Sequence, residues 1–330
     1  MASEVWSGGS IATYVAGGPC PLCSLNLRER FREIEAEETG ARFGVDACPR
    51  CGLGRTVPVP ADLAPYYGAS YYGGRHGLTA RLCLRRRLRI VERIVGQGAE
   101  PSAGAGRWLL DFGCGDGSFL AEARARGWNG RGIERHGREP VRDGLPVVSS
   151  LAELDEGMRF DCATLWHVLE HLEDPVGALG DLRRWMKPRG VVLAAVPNFG
   201  SWQARATGAS WIHLDIPRHL SHFTPSALAR TFEAAGFRVA GTFQGEWEYD
   251  VIGWSQSLLN RWLGGRNEFF KAASGRPRET TSRFGRFQVV AGLGLSGLAA
   301  LPAWVESRIG QGGTLIVCAR AGEGSTHDDV

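Results

Sequence analysis

Residues Arg107–Leu120 read RWLLDFGCGDGSFL, and this stretch decides the fold. A short apolar run ends at Asp111, and a helical pattern begins after a loop that has glycine at alternate positions, Gly113, Gly115 and Gly117. Such glycines let the backbone approach a ligand closely, and open α/β sheets bind ligands at the carboxyl ends of their strands. The stretch therefore predicts a strand, a ligand-binding loop and a helix.

A second carboxylate narrows the choice of ligand. Glu134 ends the next predicted strand, at the separation expected for a carboxylate that accepts both hydroxyls of a ribose. The loop has the spacing G-x-G-x-G after an acidic residue, and Ser118 stands where a dinucleotide-binding loop has its third glycine. Asp111 would oppose a pyrophosphate, whereas it suits the cationic amino group of a methionine moiety. The pattern favours S-adenosylmethionine over a nicotinamide cofactor.

At the loop residues the chain resembles the class I S-adenosylmethionine-dependent methyltransferases, whose first motif is D/E-x-G-x-G-x-G. The resemblance extends through FDCATLWHVLEHLEDP, Phe160 to Pro175, and to a last strand TLIVCAR, Thr314 to Arg320. It implies an α/β, Rossmann-like sheet of seven strands whose last strand is antiparallel. The cofactor-binding residues implied for this chain are Asp111, Gly113, Cys114, Gly115, Gly117, Glu134, Trp166 and His167.

Two cysteine pairs near the start of the chain have the spacing of metal knuckles. They are Cys20-Pro-Leu-Cys23 and Cys48-Pro-Arg-Cys51, separated by slightly more than the usual gap of about 15 to 20 residues. Four thiolates leave no open coordination position, so the sequence predicts a structural zinc ion in a small zinc-ribbon-like module. Unrelated reduced thiols and a redox motif are the alternatives, and the presence of two pairs disfavours both.

The bulk composition is compatible with one α/β core and a small accessory module, because the chain has 330 residues of which 43% are hydrophobic. Lys and Arg number 38 against 35 Asp and Glu, a balance that neither requires nor excludes a polyanionic partner. The first residues show no basic leader with an apolar region, so a cytoplasmic protein is expected.

The chain divides into five predicted segments. These are a zinc module at 1–60, a linker with a basic amphipathic helix at 61–100, a cofactor-binding core at 101–243, an insertion at 244–313, and the last strand with a tail at 314–330. The linker is rich in tyrosine, at Tyr66, Tyr67, Tyr71 and Tyr72, and either covers a ligand as a lid or packs between domains.

The insertion contains an uncharged stretch, Val289 to Val305, that is just shorter than a bilayer span and is interrupted by Pro302. A helix buried in the domain or a homodimer interface is favoured, and contact with a membrane surface is the alternative. The insertion is accordingly predicted to serve the substrate, a dimer or a membrane surface.

The catalytic candidates are histidines. Methyl transfer from a sulfonium mainly requires alignment of the acceptor and exclusion of water, but a hydroxyl acceptor must also lose its proton. His219 ranks first, His167 is next because it follows the fourth core strand, and His222 is the third candidate. A hydrogen-bonded structural role is the alternative for each of these rings.

The function that the resemblance implies is methyl transfer from S-adenosylmethionine to a small-molecule or sugar acceptor, at oxygen or carbon, in a biosynthetic pathway. The order of parts resembles bacterial methyltransferases that carry an N-terminal zinc module. An rRNA methyltransferase with a zinc module is the alternative, although the all-cysteine site and the weak net charge argue against a nucleic-acid partner. A non-catalytic adaptor is a third hypothesis, and the intact loop argues against it.

Overall fold

The computed structural model describes residues 16–67, 78–96, 106–135, 141–244, 246–264, 267–275 and 283–322. Tyr71 and Tyr72 of the predicted lid, and the last eight residues of the predicted tail, lie outside these ranges.

The described residues form nineteen helices and strands, apart from short 3-10 turns. The N-terminal part has β1 (Arg28–Glu35), β2 (Arg42–Ala47), β3 (Gly54–Val57) and α1 (Leu78–Gly96). The core follows with β4 (Trp108–Phe112), α2 (Ser118–Ala125), β5 (Asn129–Ile133), β6 (Val147–Val148), β7 (Phe160–Trp166), α3 (Pro175–Arg183), β8 (Met186–Pro197), α4 (Trp202–Thr207), β9 (Ser221–His222), α5 (Pro225–Ala234) and β10 (Phe237–Phe243). The chain then forms α6 (Trp247–Leu263), α7 (Glu268–Ser274), α8 (Arg283–Arg308) and β11 (Thr314–Ala321).

The larger sheet has seven strands in the order β10-β11-β8-β7-β4-β5-β6. β6, β5, β4, β7 and β8 pair in parallel, whereas β11 runs antiparallel to both of its neighbours, β8 and β10. The central strands are apolar and covered on both faces, as parallel strands between helices are. The predicted seven-stranded α/β sheet with an antiparallel last strand is confirmed.

The smaller sheet combines the N-terminal module with a strand from the predicted core. Its order is β1-β2-β3-β9, and all three pairings are antiparallel. In the last of these, Arg55 lies opposite Ser221 and Gly54 lies opposite His222. A module bounded at residue 60 therefore omits one of its own strands.

The insertion folds into three helices, and α8 packs on α6 and α7. Ser255 of α6 and Ser296 of α8 approach within 3.1 Å through their hydroxyl oxygens, and a Cβ on Gly292 would overlap the ring of Phe269. Among the described residues α8 is the one helix that is long and apolar enough to cross a membrane, judged by length and composition alone. Most of its surface is exposed rather than buried in the domain.

Candidate active site

The loop between β4 and α2 has a backbone that requires its glycines. Gly113, Gly115 and Gly117 have φ angles of +74°, +55° and +76°, which L-residues rarely adopt. A Cβ at Gly113 would lie 2.5 Å from the Val168 side chain, and one at Gly117 would lie 2.4 Å from Leu145. The loop is thus a close-fitting backbone surface at the carboxyl edge of the sheet, as the sequence predicts.

The two predicted carboxylates lie on either side of this loop. Glu134 follows β5 and accepts a hydrogen bond from the backbone N–H of Gly115 at 2.7 Å. Asp111 lies in β4 and accepts from the Thr164 hydroxyl at 2.8 Å. Burial raises the pKa of Asp111 to about 7, although the hydrogen bond from Thr164 and the charge of Arg87 oppose the shift. Carboxylate oxygens are acceptors of the kind that ribose hydroxyls and an amino group need.

Cys114 and Trp166 line the loop from the inside of the domain. Cys114 is buried, and its sulfur lies close to Gly132 of β5. Trp166 ends β7 and packs edge-on against Phe119 of α2, with ring centroids 5.7 Å apart. Cys114 thus packs the loop against β5, and Trp166 packs against the helix that follows the loop.

His167 is held in a buried network of charges. Its Nε2 lies 2.6 Å from Glu246 Oε2, its Nδ1 lies 3.4 Å from Glu170 Oε1, and its ring stacks on Tyr249 at 4.8 Å. Burial opposes the charged ring, but the carboxylates of Glu246 and Glu170 outweigh burial and raise the pKa of His167 to about 10. An imidazolium at neutral pH has no lone pair with which to accept a proton.

The same network contains two residues that the sequence analysis does not identify. Arg87 of α1 donates from Nε to Glu246 Oε1 at 2.6 Å, and its guanidinium lies 4.7 Å from the Trp166 ring centroid. Arg87 is three residues after Leu84 and four before Val91, so it occupies the apolar stripe of α1. This position in the apolar stripe could have indicated, from the sequence alone, that Arg87 is buried. For Glu246 the sequence offers no such indication, because Glu246 precedes a helix in a segment without a recognisable motif.

His219 has the arrangement of a proton acceptor. Its Nδ1 lies 2.9 Å from the backbone carbonyl of His213, and since a carbonyl only accepts, Nδ1 must carry the proton. In the neutral ring Nε2 then bears the lone pair, and this atom lies 3.7 Å from Asp215 Oδ2. The Asp215 carboxylate is close enough to stabilise the positive charge of a ring that gains a proton at Nε2.

Glu170, His171 and His219 form a compact cluster, in which one ligand atom from each lies within 4.8 Å of the others. Glu170 is 1% exposed, and its carboxylate makes no well-aligned hydrogen bond with any described residue, although Oε1 lies 3.4 Å from His167 Nδ1. Burial and the charge of His219 lower the pKa of His171 to about 4, so His171 is neutral. The cluster can stabilise a positive charge on His219 or hold a cation.

His222, the third histidine candidate, is part of the contact between β9 and β3. It is 4% exposed, lies in β9, and its Nε2 is 3.0 Å from the Thr56 hydroxyl of β3. Burial and the nearby charges of His219 and Arg55 lower its pKa to about 3. The ring is neutral and hydrogen-bonded at the junction of two strands, an arrangement that favours the structural role for His222.

The four N-terminal cysteines converge. Cys20, Cys23, Cys48 and Cys51 place their sulfur atoms within 4.8 Å of one another, and Cys20 and Cys51 are 3.7 Å apart. Burial opposes a thiolate at Cys48, but N–H groups of Cys51 and Arg50 outweigh it and lower the pKa of Cys48 to about 7. Such N–H donors toward sulfur are what a thiolate ligand needs.

The parallel order of the sheet, the glycine loop and the two carboxylates define a class I S-adenosylmethionine-dependent methyltransferase fold with its cofactor edge. Comparison with known families agrees, since the methyltransferase domain family matches residues 75–241. The chain therefore belongs to this family.

Several curated relatives are ubiquinone biosynthesis O-methyltransferases. The chain is 27% identical over 158 residues to that of Aeromonas salmonicida, covering 41% of this chain and 64% of the relative. It is 32% identical to that of Methylococcus capsulatus, covering 42% and 65%, and 31% identical to that of Pseudomonas aeruginosa, covering 48% and 72%. The chain thus spans less than two thirds of the first two of these relatives.

Solved structures with a related fold superpose loosely. A SAM-dependent methyltransferase from Archaeoglobus fulgidus is 20% identical with a TM-score of 0.42, covering 74% of this chain and 95% of that one. The 1,6-didemethyltoxoflavin-N1-methyltransferase of Burkholderia thailandensis is 15% identical with a TM-score of 0.44, covering 83% and 97%. Superpositions at this level support no inference about the reaction.

Proposed function

We propose that this methyltransferase transfers a methyl group to a hydroxyl of a small-molecule acceptor in a biosynthetic pathway, with His219 as the general base. The observation that carries the proposal is the fixed tautomer of His219, whose Nε2 lone pair lies beside the carboxylate of Asp215. The names of the curated relatives, O-methyltransferases of ubiquinone biosynthesis, are in keeping with a hydroxyl acceptor.

The cofactor-binding residues proposed from the sequence fit their task. Asp111 and Glu134 supply acceptor oxygens, and the three loop glycines supply a backbone that a cofactor can approach. S-adenosylmethionine supplies an activated methyl group when bound. His219 takes the acceptor's proton at Nε2, and Asp215 and Glu170 stabilise the imidazolium that results.

His167 has a different role in this proposal. Because its pKa is raised to about 10, the protonated ring neutralises Glu246 and Glu170 rather than removing a proton from the acceptor. It shapes the cofactor edge at the end of β7 and fixes Glu170 beside His219.

The N-terminal cysteines are proposed to hold a structural zinc ion. Four sulfur ligands complete a tetrahedral site and leave no position for substrate. The rRNA alternative gains no support from the relatives, which are named for ubiquinone biosynthesis. A cytoplasmic location stays a prediction.

A methylation screen tests the proposal. Purified chain with labelled S-adenosylmethionine is offered small phenols, catechols, sugars and structured RNA in parallel. We expect transfer to hydroxyl acceptors, with the product methylated at oxygen as read by mass spectrometry. Transfer to RNA alone, or to carbon or nitrogen acceptors without any need for His219, would contradict it.

A further inference from the structure

The helix α8 has inverted polarity. The side that faces the domain consists of small or polar residues, which are Gly285, Gln288, Gly292, Ala299, Ala303 and Glu306. The outward side carries large apolar side chains with exposed fractions between 48% and 75%, namely Phe284, Phe287, Val290, Leu293, Leu298, Leu301 and Trp304. A helix surrounded by water has the opposite arrangement, so the outward side is built to meet an apolar medium.

We propose that this outward side of α8, here named the α8 face, docks onto the surface of an anionic lipid membrane. The helix has 26 residues and is about 39 Å long. Its charges are at its ends, Arg283 and Arg286 before the apolar stretch and Arg308 after it, while Trp304 lies under the Arg308 guanidinium at 4.5 Å. Arginine and aromatic rings at the rim of an apolar face are typical of helices that lie in the headgroup region.

The helix lies along the membrane and does not cross it. Near its start, Gln288 donates to the carbonyl of Gly264 at 3.1 Å, and near its end Glu306 accepts from Gln203 at 2.9 Å. Both ends are therefore tied to the domain. A spanning orientation would break these contacts and bring the polar inner side into hydrocarbon, where unpaired polar groups are costly.

The charge around the α8 face distinguishes a membrane from a second copy of the chain. Across the described residues of α6, α7 and α8 the carboxylates are buried or ion-paired, with Glu248 bound to Arg86 and the others, Asp250, Glu268 and Glu306, at most 4% exposed. The exposed charges there are arginines, Arg261, Arg283, Arg286 and Arg308. A symmetric dimer through this face would bring like charges together, whereas anionic headgroups complement them.

Vesicle binding by the full chain tests the proposal. Sedimentation with vesicles of phosphatidylcholine, with and without phosphatidylglycerol, should show binding that requires phosphatidylglycerol and weakens with added salt. Leu298→Ser with Leu301→Ser should lower the partition coefficient roughly ten-fold or more. Leu82→Ser is the matched control, because Leu82 is an exposed leucine, 48% exposed, that belongs to a different helix, α1.

Two further measurements complete the design. Arg283→Gln with Arg286→Gln should weaken binding to anionic vesicles and reduce its salt dependence, while thermal unfolding of every variant stays as in the parent chain. The proposal is overturned if the chain binds neither vesicle, or if the leucine double variant binds as the parent does. It is also overturned if light scattering shows a dimer that this double variant converts to monomers.

Discussion

At the scale of single residues, the two histidine candidates His167 and His219 differ because their hydrogen-bond partners differ. His167 lies between two carboxylates, Glu246 and Glu170, which keep its proton on. His219 has a backbone carbonyl at Nδ1, which fixes its proton there and leaves Nε2 to accept another. The same side chain is thus a fixed positive charge in one position and, in the proposed reaction, a base in the other.

Replacing His219 should separate catalysis from cofactor binding. We expect His219→Gln to lower kcat for a hydroxyl acceptor by about 10²- to 10⁴-fold, the range for losing a general base. The Kd for S-adenosylmethionine, measured by calorimetry, should stay within about two-fold, because His219 is not among the loop residues. An unchanged kcat would exclude the base role, and a loss of cofactor binding would show that the ring is structural.

Gly113 should tolerate no side chain. Gly113→Ala places a Cβ 2.5 Å from Val168 and imposes an L-residue on a φ of +74°, so the loop must move. We expect affinity for S-adenosylmethionine to fall at least about ten-fold, as loss of roughly 1.4 kcal/mol implies. Gly180→Ala in α3 is the control, since a Cβ there meets no atom within 4 Å. Equal affinity in the two variants would contradict a binding role for the loop.

The charge on His167 gives stability a dependence on pH. Its folded-state pKa of about 10 is above the ordinary value of 6.5. The folded chain therefore binds the extra proton across this interval, so the contribution is complete below about pH 6.5 and disappears as the pH rises through about 10. Urea unfolding should show the free energy of unfolding falling by a few kcal/mol over this interval.

The variant His167→Gln isolates this contribution. It should be less stable than the parent chain at pH 7, because two buried carboxylates lose their counter-charge. Its free energy of unfolding should also fall less between pH 7 and pH 10. If parent and variant had equal slopes, a neutral His167 would follow.

At the scale of elements, the N-terminal module supports the segment that contains His219. Thr56 of β3 donates from its hydroxyl to the carbonyl of His219 at 2.6 Å, and its backbone N–H bonds to the carbonyl of Leu220 at 3.1 Å. Arg55, also of β3, reaches the carbonyl of Glu173, and Thr224 donates to the carbonyl of Cys51 at 2.6 Å. The cysteine knuckles thus hold the strand that positions His219.

Loss of the metal site should therefore reduce activity as well as stability. We expect Cys51→Ser to lower the zinc content per chain, read by elemental analysis, and to lower the Tm by several degrees. The rate of methyl transfer should fall together with the zinc content, although S-adenosylmethionine binding at the sheet edge should be retained. Cys83→Ser is the control, because Cys83 of α1 is outside the cluster. A parent chain without bound metal after purification in zinc would exclude the site.

Local patterns predict the elements of the core well. The strand ending at Asp111 and the turn after it follow from one apolar run and three glycines, whose backbone requirement is local. β9 was not predictable. It has two residues, Ser221 and His222, and forms because β3 lies beside it, a contact between positions 166 residues apart. Pairing at that separation depends on the whole fold and leaves no local periodicity.

At the scale of the whole molecule, the charge network joins the insertion to the core. Glu246 precedes α6, Arg87 belongs to α1, and His167 follows β7, so three distant segments meet in one set of ion pairs. From the sequence, the arginines of α1 indicate a solvated basic face, and for Arg87 this is wrong, since it is 5% exposed. The burial of Arg87 depends on the carboxylate of Glu246, which is 159 residues further along the chain.

The buried ion pair between Arg87 and Glu246 predicts that substitutions of the two residues have strongly coupled effects on the free energy of unfolding. Arg87→Met or Glu246→Gln alone should cost about 3–5 kcal/mol in the free energy of unfolding, because each removes one member of a buried ion pair. The double variant should cost clearly less than the sum, so a double-mutant cycle in urea should give a coupling of roughly 1–3 kcal/mol. Arg184→Gln with Asp181→Asn is the control cycle, an exposed pair of side chains 3.5 Å apart whose coupling should stay below about 1 kcal/mol. Additive costs in the first cycle would mean that this ion pair contributes nothing to joining the insertion to the core.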